Sequence, residues 1–127
     1  MSVIKSLPSM EHSFTASIKG TETGQMFEGT FTCRRPNLRI QSEIAKTEAI
    51  LNGGLSNLDD DMRSLHRVFA TLKHVIIQSP EWWVKSDLGF NLYDVNVPLE
   101  LYKTYKEFDD KWFKQVWLDE KEEPVKV

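Results

Sequence analysis

Residues 12–33, HSFTASIKGTETGQMFEGTFTC, decide the fold class. Phe14, Ala16 and Ile18 alternate with Ser13, Thr15 and Ser17, and Phe27, Gly29, Phe31 and Cys33 alternate with Glu28, Thr30 and Thr32. A two-residue period sends alternate side chains to opposite faces of a strand. Between the two runs, Gly20-Thr21-Glu22-Thr23-Gly24 is a polar turn bounded by glycines. The pattern predicts an antiparallel hairpin pairing His12–Lys19 with Met26–Cys33 and shielding Phe14, Phe27 and Phe31 on one face. A lone hairpin is marginal in water, so a helix or another chain must cover that face.

Downstream the period changes to that of a helix. Pro36 suits a first helical turn, and Ile40, Ile44, Ala45 and Leu51 form a moderate stripe that Asn52-Gly53-Gly54 ends. A second helix opens near Ser56–Asp59. Asp59, Asp60 and Asp61 lie in its first turn, where the helix dipole favours negative charge. Leu58, Met62, Leu65, Phe69, Leu72 and Ile76 recur at alternating four and three residues. Of these, Leu65, Phe69, Leu72 and Ile76 are expected to be buried against the last helix. Pro80 predicts a stop at Gln78 or Ser79. A connector follows to about Val95, and Asn96 and Pro98 mark the start of the last helix. The expected architecture is α+β: an N-terminal β-hairpin followed by a small bundle of about three α-helices. Residues 12–118 form the domain, between a flexible arm (1–11) and an acidic tail (119–127).

Composition narrows the function classes. A formal net charge of −3, with both signs well mixed, leaves no electrostatic footprint for nucleic acid. No window approaches the roughly 18 apolar residues of a membrane span, and Met1–Glu11 holds no apolar run of signal-peptide length. The lone Cys33 allows no internal disulfide and suits a reducing compartment. The expectation is a soluble intracellular protein with no membrane partner.

No constellation carries chemistry. His66 and His74 stand eight residues apart, about 12 Å of helical rise, and cannot share an ion without a distant third ligand. The aspartate run lacks the spacing of a calcium loop, and Gly53-Gly54 follows a helix, so it is a cap and not a phosphate cradle. No nucleophile elbow exists, and Cys33 has no adjacent histidine to activate it. Arg34, Arg35 and Arg39 cluster at the hairpin-to-helix junction. They are read as a solvated face in preference to an anion contact. No enzyme, cofactor, metal or small-molecule substrate is expected.

The aromatic residues are distributed unevenly. Ten of the fourteen fall between Trp82 and Trp117, including every Trp and every Tyr. Leu101, Tyr105, Phe108, Trp112 and Val116 form one face of the last helix, and Leu99, Tyr102, Phe113 and Trp117 form a ridge beside it. Together they are wider than a surface helix needs. Adjacent Trp82 and Trp83 point different ways, so one suits the core and the other solvent or a partner. Aromatics are enriched at protein contacts. Trp82, Trp83, Tyr102, Phe113 and Trp117 are therefore the candidate interface residues.

A strand containing Phe27-x-Gly-x-Phe31 leads to Arg34-Arg35-Pro36, a break at Asn52-Gly53-Gly54, and Pro80-Glu81-Trp82-Trp83. Asp94-x-Asn96 and an aromatic helix complete the order. The arrangement resembles small proteins of tailed bacteriophages encoded with the head and tail genes, particularly the tail assembly chaperones. The resemblance spans roughly Phe27 to Trp117. It implies a non-enzymatic protein that binds other phage structural proteins, or itself, in the host cytoplasm during assembly. The hairpin departs from the simple helical picture of those chaperones and admits a minor structural subunit retained in the virion. The alternative is a small intracellular ligand- or peptide-binding module, with an aromatic-lined pocket between the second and last helices.

Overall fold

The computed structural model describes residues 7–54 and 57–125, and beyond Trp117 the course of the backbone alone. Met1–Ser6 of the expected arm, Ser56 and the side chains of the acidic tail lie outside the described residues. The fold is α+β, and the described residues form a three-stranded antiparallel sheet and four helices.

Strand β1 (Glu11–Lys19) pairs with β2 (Met26–Arg34) in unbroken register, from Glu11 opposite Arg34 to Lys19 opposite Met26. Gly24 takes a positive φ of 75° in the connecting turn, which a side chain disfavours. The alternation places Ala16, Phe27, Phe31 and Cys33 in the core, with Phe14 and Ile18 packed against them. Hydroxyls line the opposite face, where Ser13 meets Thr32 at 2.8 Å. Burial pushes the Cys33 thiol up to about 11, so it stays protonated and inert.

Helix α1 (Leu38–Asn52) begins two residues later than Pro36 suggests. The Asn37 side chain caps it by accepting from the Ile40 N–H, and Gly53 ends it in left-handed geometry. Helix α2 (Asp60–Val75) is capped by Asp59, which accepts from the Met62 N–H. It ends earlier than Pro80 predicts, because residues 76–78 leave the helix to form β3 (Ile76–Gln78) beside β2. Arg34 donates from Nε and Nη2 to the His74 carbonyl, satisfying a carbonyl left unpaired at the end of α2.

Burial along α2 also differs from the expected stripe. Val68, Phe69, Ala70, Thr71, Leu72 and Val75 are buried, whereas Leu65 and Ile76 are only half-buried and Met62 is exposed. A helix with neighbours on both sides buries a wider arc than a one-sided stripe. Here α1 packs on one side and α4 (Asn96–Val125) on the other. Phe69 stacks on Phe90 of the connector at 4.1 Å. His66 Nδ1 meets Asn52 Oδ1, and His74 Nε2 meets Thr47 Oγ1, each at 2.8 Å, so both histidines pin α1 to α2.

The connector holds a short helix, α3 (Glu81–Lys85), and then a turn in which Asp87, Leu88 and Gly89 all have positive φ. Helix α4 crosses the covered face of the sheet. Val97, Leu101 and Tyr105 are buried, and Phe108 stacks on His12 at 5.1 Å. Its backbone stays helical through Val125, so residues 119–125 of the expected tail continue the helix.

Asp94 and Asn96 fasten the hairpin turn to the start of α4. Asp94 is 1% exposed; it accepts from the backbone N–H groups of Glu22 and Thr23 and from the Thr23 hydroxyl. Asn96 accepts from the Thr21 N–H and hydroxyl and donates to the Lys19 carbonyl. Burial alone pushes the Asp94 carboxyl up, but the three donors outweigh it and hold it below the usual carboxylate range. A depressed folded-state value contributes stability above the unfolded pKa and loses it as pH falls through the folded one. The melting temperature of Asp94→Asn is therefore expected to lie below wild type at neutral pH. The gap should narrow below about pH 4. Parallel melting curves down to strong acid would show that the carboxylate charge has no part in the clasp.

Candidate functional site

The five candidate interface residues separate into three environments. Trp83 is 1% exposed, with its ring edge-on to Phe31 at 6.1 Å and to Trp82 at 6.1 Å. It belongs to the core and presents nothing to a partner. Trp82 is half-buried: its indole lies 5.1 Å from Phe27, and its N–H donates to the Glu28 carbonyl at 2.8 Å. Tyr102 is half-buried beside Tyr105.

Phe113 and Trp117 come together at the far end of the described side chains of α4. Four residues apart on a helix, they share a face. Their rings sit 5.7 Å apart, yet they remain 53% and 47% exposed. Tyr102 stands eleven residues earlier, about 16 Å along the axis, so the ridge is not one continuous surface. The inner stripe is covered as the sequence suggested, up to Trp112. The Arg35 guanidinium lies 3.8 Å over the Trp112 ring and donates to Asp109 at 2.7 Å, and the Trp112 N–H donates to the Pro8 carbonyl. These contacts fix the direction of α4 just before the exposed pair. They also account for Arg34 and Arg35, which are half-buried and paired within the chain and do not form a solvated face.

A cavity of about 190 Å³ lies between α2, the connector and the start of α4, lined by Leu65, Phe69, Phe90, Tyr93 and Pro98 among others. Its volume falls below the range of about 300–1,000 Å³ common for small-molecule sites. The polar side chains at its wall, His66 and Asp94, are already bonded to Asn52 and to the hairpin turn. A wider cleft of about 440 Å³ between α1, α2 and Tyr102 carries charges of both signs, including the Arg67–Glu48 pair at 3.3 Å. Among the described residues, no three His, Cys, Asp or Glu side chains gather into a metal-binding group, and no helix is long and apolar enough to cross a membrane.

Comparison with family models, with curated proteins and with solved structures gives no match to this chain.

The hydrogen-bonded clasp and the histidine pins escaped sequence reasoning. The one sequence signal for the clasp was Asp94-x-Asn96 directly before a helix. That pattern reads as a helix start and does not reveal that its side chains bond a turn more than seventy residues earlier.

Proposed function

We propose that this is a non-enzymatic assembly or structural protein of a tailed bacteriophage, acting by protein–protein contact through Phe113 and Trp117. The observation that carries the contact reading is that adjoining, half-exposed pair of rings on a helix whose direction Arg35 and Trp112 hold fixed. Large exposed apolar groups brought together on a rigid element mark interaction sites. The phage setting rests on the sequence resemblance. On that reading the partner is another phage structural protein, and the protein works in the host cytoplasm during tail assembly or stays in the virion as a minor component. The pocket alternative is weaker, because the cavity lined by Phe69, Phe90 and Tyr93 holds only about 190 Å³ and the polar side chains at its wall are already bonded within the chain.

The genes beside this one supply the candidate partners, with tail-tube and tape-measure proteins first. Co-purification with one of them is the expected result. Trp117→Ala should weaken that complex about thirtyfold, as loss of an aromatic anchor worth about 2 kcal/mol implies, while the melting temperature stays at the wild-type value. A complex indifferent to Trp117→Ala, or a variant that unfolds, would remove Phe113 and Trp117 from the interface.

A further inference from the structure

We propose that the open edge of β1 pairs antiparallel with β1 of a second copy, about a two-fold axis at Thr15, to make one six-stranded sheet. Among the described residues, the sheet order β1-β2-β3 leaves β1 at an edge for all nine of its residues. Hydrogen bonding alternates along an antiparallel pair. Bonds from the Arg35 N–H to the Met10 carbonyl and from the Gly20 N–H to the Gln25 carbonyl set the phase. Even-numbered residues of β1 therefore bond to β2, and Glu11, Ser13, Thr15, Ser17 and Lys19 turn their backbone groups outward. Among the described residues, Ser9 holds the outward groups of Glu11 and Asn96 holds the Lys19 carbonyl. Likewise among the described residues, no hydrogen bond from outside the hairpin reaches the backbone of Ser13, Thr15 or Ser17. Proteins usually guard such edges with proline, a bulge or a charge pointing inward. Between Glu11 and Lys19 there is no proline, the register with β2 is unbroken, and the inward side chains are His12, Phe14, Ala16 and Ile18.

The side chains select the second copy as occupant. Pairing centred on Thr15 sets Thr15 against Thr15, Ser13 against Ser17 and Glu11 against Lys19, so opposite charges meet at both ends of the strand. All three pairs join residues whose backbone groups turn outward, so strand phase and charge agree in one register. A shift of two residues either way keeps the phase and breaks both charge pairs. Opposite charges and hydroxyl pairs across neighbouring strands are the favourable combinations, and like charges are not. The hydroxyl rung already running from Gln78 through Thr32 to Ser13 would continue into Ser17 of the second copy. This surface is distinct from the Phe113–Trp117 pair and does not rest on it.

Light scattering coupled to size exclusion, over a wide concentration range, tests the proposal on the full chain. Wild type is expected to show a concentration-dependent dimer. Thr15→Pro removes an outward N–H and the long, exposed hydroxyl contact to Thr30 at 3.4 Å but no backbone bond of the hairpin, a change that edge strands tolerate, and should give a folded monomer. Glu11→Lys or Lys19→Glu alone sets like charges opposite each other at both ends and should raise the dimer Kd roughly tenfold. The double exchange should restore it, and Trp117→Ala should leave it unchanged. If Thr15→Pro does not fold, the charge exchange decides. A monomeric wild type overturns the proposal, as does a dimer that survives in folded Thr15→Pro, or a double exchange no tighter than its single changes. So does a dimer lost on Trp117→Ala but blind to the charge changes.

Discussion

Trp83→Ala is expected to remove about 3–5 kcal/mol of folding stability, the usual cost of truncating a buried aromatic side chain. Trp83 is the largest fully buried side chain of the described residues and belongs to the one cluster that joins the sheet to α2 and α4. Its ring meets Phe31 of β2 edge-on, at an interplanar angle of 80°, and meets Trp82 at 88°. Edge-on aromatic pairs add stability beyond the area they bury. Truncation therefore loses burial and ring contacts together, and leaves a cavity between the sheet and the helices. Domains of this size hold only about 5–15 kcal/mol in total, so the variant should unfold at a much lower denaturant concentration with an unchanged slope. Trp83→Phe, which keeps a ring, should lose less. A Trp83→Ala loss below about 1 kcal/mol would show that the tryptophan fills space the core does not need.

The same residue shows how far the sequence could be read. Adjacent tryptophans outside a strand must point apart, so one in the core was legible; which one was not. That choice depends on how α3 docks under Phe31, a contact between residues some fifty positions apart. The hairpin was legible because two matched runs of period two flank a glycine-bounded turn. The exposed Phe113–Trp117 pair was legible as well, because the apolar arc of α4 is wider than one neighbour can cover. Strand β3 was not, because Ile76 falls on the helical stripe of α2 as well as in the strand. Three residues are too few for period to decide, and only the β-branched run Val75-Ile76-Ile77 hinted at extended chain. The motifs that carry the phage resemblance have folding roles: Trp83 in the core, Arg34 at the end of α2, Asp94 on the turn. Gly29 is another, since a side chain there would collide with Pro80. Function has to be read from what folding leaves unexplained, the aromatic pair and the bare strand edge among it.

Gly89→Ala is expected to be nearly as damaging as the loss of Trp83, for two separable reasons. Gly89 has a φ of 96°, the third positive value in succession after Asp87 and Leu88, and an alanine there is strained whatever space surrounds it. An added Cβ would also stand 2.8 Å from the Trp83 ring and 2.9 Å from the Phe69 ring. The neighbours cannot easily retreat. Trp83 is enclosed, and Phe69 is stacked on Phe90. The turn itself is tied to α3, since the Ser86 hydroxyl donates to the Trp83 carbonyl and accepts from the Gly89 N–H. Gly24 isolates the backbone part of the cost: its φ is 75°, and an added Cβ meets nothing within 4 Å. Gly24→Ala should therefore cost roughly 1–2 kcal/mol from conformation alone. Gly89→Ala should cost roughly 3 kcal/mol or more, with overpacking supplying the difference. Denaturant titrations of the two variants against wild type measure both terms. If Gly89→Ala loses no more than Gly24→Ala, the two rings can move aside, and the close approach of the turn to Trp83 does not limit the packing of this core.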